Sequence, residues 1–136
     1  MKNYLPLVVL MVLHAVFMFF DLYSIAHLDS VMHLAGGIVL AMFLYGFLVS
    51  AIGRGWCPDP GKIVSAVLVI ALVTTGAVCW EFYEWISDRL FDTRLQPSVT
   101  DTVKDMLLGL LGGILYASYG INLRQAGKCQ PLRSER

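Results

Sequence analysis

Asp29, His33, Glu81, Glu84, Asp101 and Asp105 are ionisable residues set at helical spacing in or beside strongly apolar stretches. Asp29 and His33 are i,i+4, Glu81 and Glu84 are i,i+3, and Asp101 and Asp105 are i,i+4, so each pair shares one face of a helix. Carboxylates with an imidazole suit Zn²⁺, Mn²⁺ or Fe²⁺, and carboxylates alone suit Mg²⁺ or Ca²⁺. His33, Glu81, Glu84, Asp101 and Asp105 are therefore the candidate ligands of a divalent metal, and Asp29 joins them as a candidate pocket residue. The spacing has less specificity than an H-E-x-x-H helix. A competing role is a carboxyl network that shares protons and only ties helices together. Asp29 and Asp101 also fit as N-caps of the helices they open.

The elements that carry these groups are made for lipid. Hydrophobic residues are 57% of the chain and charged residues 15%, against roughly 45–50% and 25% in soluble domains. Mean hydropathy is +0.69. The formal net charge is zero, which excludes a nucleic-acid partner held by bulk electrostatics. Crossing a hydrocarbon core of about 30 Å takes about 20 apolar residues, and four stretches qualify: 5–25, 31–52, 63–85 and 102–123. The expected fold is an all-α, polytopic, four-helix transmembrane bundle, one membrane domain over 1–136. Pro58, Pro60 and Gly61 break the chain between the second and third spans, and Pro97 breaks it before the fourth. The third apolar pattern overruns into 86–90, so that helix should emerge a turn or two beyond the bilayer. A signal-peptide reading of the first span fits poorly, because its apolar run exceeds the usual 7–15 residues and is followed by Asp21.

Lys2, Arg54, Lys62, Arg124, Lys128, Arg133 and Arg136 fall on one side of these spans, and Arg89, Arg94 and Lys104 on the other. That bias puts both termini in the cytoplasm. Most acids go to the outer side, where His33, Glu81, Glu84 and Asp105 reach one depth near the boundary. A charge within a membrane helix costs about 2.5–3.5 kcal/mol and usually faces the bundle interior. Gly36 and Gly37 extend the His33 face, and Gly109, Gly112 and Gly113 extend that of Asp105. Small residues mark close helix packing, so the charged groups should point inward.

Other residues have plainer expected roles. His14 reads as a hydrogen-bonded core histidine, and Trp80, Tyr83 and Trp85 as an interfacial aromatic belt. Asp88 and Asp92 read as solvated, pairing loosely with Arg89 and Arg94. Lys104 should snorkel or pair with a carboxylate. Cys79 should pack as a small hydrophobe. Cys57 and Cys129 fall on the cytoplasmic side, and no disulfide is expected.

The run Asp29-Ser30-Val31-Met32-His33, the pair Glu81 and Glu84, and Ser98, Asp101 and Asp105 followed by Gly109 and Gly112 resemble the VanZ-like membrane proteins. His33-x-x-Gly36-Gly37, Trp80-Glu81-x-x-Glu84-Trp85 and Asp101-Thr102-x-x-Asp105-Met106 resemble more closely the bacterial inner-membrane family typified by YjdF. The resemblance covers about 29–116. Ser30 stands where VanZ-like proteins usually carry a basic residue, and Asp105 where they often carry Asn. The resemblance implies a multi-pass protein of the bacterial inner membrane with a role in the cell envelope.

The expected function is an outward-facing His/carboxylate pocket for a divalent cation or a polar headgroup, from a lipid or a peptidoglycan precursor. One rival is a metal-assisted hydrolase or transferase acting on a lipid-linked phosphate, with one Glu as general base. It would need basic residues at the site, for which Arg89, Arg94 and Lys104 are available. A small cation carrier or channel subunit is the other. It would need deeper polar groups, such as His14, Thr74 and Thr75, and a homo-oligomer to widen the path.

Overall fold

A computed structural model describes residues 4–25 and 27–122. Those residues form α1 (Leu5–Phe19), α2 (Leu28–Gly53), α3 (Gly61–Phe91) and α4 (Val99–Leu115), with a π-helical turn Tyr116–Gly120 after α4. They contain no strand. Lys2, the basic residues from Arg124 onward and Cys129 lie outside the described residues.

Among the described residues, two helices are long and apolar enough to cross a membrane: α2, with 26 residues, and α3, with 31. At a rise of 1.5 Å per residue they measure roughly 39 and 46 Å. α1 has 15 residues, which gives roughly 22 Å. It ends at Phe19 rather than running to Ile25, because Asp21 takes a left-handed conformation with φ 53°. A short polar side chain tolerates that region better than a bulky one. Ser24 Oγ then donates to the Asp21 carbonyl at 2.7 Å, closing a 3₁₀ turn over Leu22–Ser24. α3 continues to Phe91, so two turns lie past the expected span. α4 starts at Val99, before the expected 102, because Ser98 accepts a hydrogen bond from the Asp101 backbone N–H at 3.1 Å. Ser98 is thus the N-cap, and the expected capping role of Asp101 is not found.

α2 and α4 pack most extensively, α3 completes the group, and α1 rests mainly on α2. Glycines set the α2–α4 approach. A Cβ on Gly37 would collide with the Gly109 carbonyl, and one on Gly112 with the Leu34 carbonyl. Ala41, Tyr45, Val69, Val73, Ala117 and Ile121 form the apolar core. They lie toward the C-terminal ends of α2 and α4 and the N-terminal half of α3, away from the acids. Ile63, Val67, Phe82 and Leu107 are each more than half exposed, an outward apolar surface that suits lipid. Cys79 is also exposed, not packed as expected, and Cys57 is half-buried.

Candidate metal centre

The start of α2, the last third of α3 and the start of α4 meet around His33. Its Nε2 lies 3.4 Å from Asp29 Oδ1 and 3.9 Å from Glu84 Oε1, while Nδ1 lies 3.9 Å from Glu81 Oε1. Glu81, Glu84 and Asp105 are 4, 5 and 2% exposed. Among the described residues, two sets of three have ligand atoms within 4.8 Å of one another: Asp29, His33 and Asp105, and His33, Glu81 and Glu84. The single five-ligand cluster expected from spacing is therefore two sets sharing His33. Asp101 is in neither. It pairs with Lys104, whose Nζ also stands 3.6 Å from Asp105 Oδ1. Asp29 is a member of the cluster and not an N-cap; the cap position of α2 is His27, at φ 68°, with no side-chain cap bond.

The carboxylates are only partly satisfied. Glu84 Oε1 accepts from the Trp80 indole N–H at 2.8 Å. Glu81 Oε2 accepts from the Gln96 amide at 3.0 Å. Glu81 Oε1 and Asp105 Oδ1 are buried and have no hydrogen-bond partner among the described residues. A buried polar group left so costs about 1–3 kcal/mol, and more when charged. Metal–ligand bonds of about 2.0–2.1 Å in a tetrahedral arrangement put ligand atoms about 3.3–3.4 Å apart. The His33–carboxylate N–O separations of 3.4–3.9 Å are long for hydrogen bonds, and the ligand atoms of each set, within 4.8 Å of one another, would draw inward to reach that spacing.

Trp80 belongs to this site rather than to an outer belt, since its ring also meets that of His14 edge-on at 4.7 Å. Tyr83 and Trp85 do face outward. His14 is buried and hydrogen-bonds through Nδ1 to the Tyr23 hydroxyl. Gln96 was invisible to spacing arguments, being an uncharged loop residue 15 positions from Glu81.

Asp88 explains how Gln96 is held. Its carboxylate accepts from Thr93 Oγ1 at 2.6 Å, Leu95 N at 2.9 Å and Gln96 N at 3.0 Å. It clasps the loop before α4 instead of pairing with an arginine, and Arg89 lies over the Trp85 ring. Asp88 sits beyond the apolar span of α3. Desolvation there pushes its carboxyl up, but the three donated hydrogen bonds outweigh that and hold it below the usual range.

The family model described as "Predicted membrane protein (DUF2238)" matches residues 3–126. No curated protein and no solved structure matches the chain.

Proposed function

The chain belongs to the DUF2238 family of predicted membrane proteins, and from that premise we propose that it is a multi-pass protein of the bacterial inner membrane that holds a divalent cation around His33, near the outer face. The observation that carries this reading is that Glu81 Oε1 and Asp105 Oδ1, each in one of the two sets that share His33, are buried and accept no hydrogen bond among the described residues. Four carboxylates converge there, and among the described residues the ammonium beside them is that of Lys104, which Asp101 and Asp105 share. A cation would offset the repulsion and satisfy the orphan oxygens together. One imidazole nitrogen would bind the ion and the other would face a carboxylate, the arrangement that orients metal-bound histidines. An imidazole among carboxylates favours Zn²⁺, Mn²⁺ or Fe²⁺ over Mg²⁺. Both termini are cytoplasmic in this reading, as the Lys and Arg distribution supports.

Elemental analysis of detergent-purified protein tests the proposal. Wild type should retain close to one equivalent of a transition metal. Added Zn²⁺ at 100 times its Kd should stabilise the fold by about 2.7 kcal/mol. His33→Ala should abolish both effects. A wild type that neither retains metal nor gains stability would reduce the cluster to a proton-sharing structural network.

A further inference from the structure

Three features adjoin the His33 cluster and reach beyond the groups that would hold a cation. The first is an apolar cavity of about 210 Å³ between α1, α2 and α3, walled by Leu7, Leu10, Leu40, Val73 and Gly76. It exists because α1 leans on α2 and meets α3 chiefly at the His14–Trp80 end. Gly36 keeps it open: a Cβ there would meet only Leu10, at 3.8 Å. The second is Nε2 of His14, a residue 8% exposed in the wall of that cavity, which has no hydrogen-bond partner among the described residues. In the tautomer in which the Tyr23 hydroxyl donates to Nδ1, Nε2 carries the ring proton and is a donor with no acceptor among the described residues. The third is a polar cavity of about 220 Å³ over the cluster, with Arg94 and Lys104 in its wall beside Glu84 and Asp101. The two cavities share Tyr23 and Asp29, so they meet at the cluster.

We propose that these features form one binding site for an amphiphile with a single apolar chain and a phosphate head. An apolar cavity of about 150 Å³ stays dry and takes up a benzene-sized guest. This one is larger and, from His14 to Leu7, runs roughly 10 Å along the helices, a shape that suits a chain. The phosphate lies in the polar cavity against Arg94 and Lys104, whose N–H groups make charge-assisted bonds to its oxygens. His14 Nε2 donates to the oxygen that joins head to chain. The inference rests on the cation reading, because Asp29 and Glu84 would repel a phosphate unless an ion stood between them.

The test is equilibrium binding of dodecyl phosphate to the Zn²⁺-loaded protein in a neutral detergent. Wild type should bind it saturably, with dodecanol and inorganic phosphate each about tenfold weaker or worse, as expected for losing one charged hydrogen-bonding group or the chain. Gly36→Leu and Leu10→Phe fill the slot from opposite walls; both should lose dodecyl phosphate while retaining Zn²⁺. Arg94→Gln should weaken binding by about tenfold. Displacement by a polyprenyl monophosphate would identify a lipid carrier as the natural source, and displacement by lysophosphatidic acid a single-chain phospholipid. The proposal is overturned if both slot variants bind like wild type, if dodecanol binds as well as the phosphate, or if neither lipid competes. Zn²⁺ retained with no dodecyl phosphate bound sinks this inference alone. No Zn²⁺ retained by wild type sinks the cation reading and this one with it.

Discussion

Asp88 touches no member of the His33 cluster, yet it governs one. Its three accepted hydrogen bonds fix the loop that carries Gln96, and Gln96 holds Glu81 Oε2. Because its folded-state pKa is lowered, the stability it contributes is fully present above its unfolded pKa of about 3.9. That contribution is lost as pH falls through the lower folded value. Asp88→Asn should therefore cost about 1 kcal/mol at pH 7, allowing for solvent screening. The difference from wild type should vanish in thermal melts run near pH 2. A difference that persists undiminished in acid would mean that shape, and not charge, makes the clasp. At this scale the sequence was partly legible. His33, Glu81, Glu84 and Asp105 stand out because charges are conspicuous in apolar helices, whereas Trp80 and Gln96 carry no such contrast and were placed by contacts alone.

The α2–α4 crossing sets the distance across which Asp29, His33 and Asp105 meet. Gly37 and Gly112 permit it, since a Cβ at either would strike backbone atoms of the facing helix. Backbone cannot swing aside as a side-chain tip can, so even alanine should force the helices apart. Gly37→Ala and Gly112→Ala are each expected to cost about 1–3 kcal/mol, at the upper end of that range. Gly36→Ala, one residue away, adds a Cβ that makes ordinary contact with Leu10 at 3.8 Å and should lie within about 1 kcal/mol of wild type and on the stabilising side, through helix propensity. Melting temperatures in detergent compare the three directly; equal effects at Gly36 and Gly37 would refute the close-crossing argument. The small-xxx-small pattern was readable beforehand, but which neighbour each glycine faced was not.

For the whole molecule, the expected orientation has both termini inside. In a background with Cys57, Cys79 and Cys129 replaced by Ser, an impermeant thiol reagent applied to intact cells should label Ser24→Cys and Val99→Cys, both exposed positions, and spare Asp59→Cys. Labelling of Asp59→Cys alone would invert the protein and turn the His33 cluster inward. The amino-acid sequence by itself determined the helical class and the membrane character, because apolar run length, charge scarcity and 3.6-residue spacing are local properties of the chain. It also brought the acids and His33 to a common level, since depth follows from counting along a helix. The tertiary structure alone decided that the cluster divides into two sets around His33, that Asp101 is held by Lys104, and that α1 stops at Phe19 with Tyr23 turned back on His14. Those outcomes depend on helix crossings and on the loop clasped by Asp88. Such contacts join residues far apart in the chain, where no periodicity reaches.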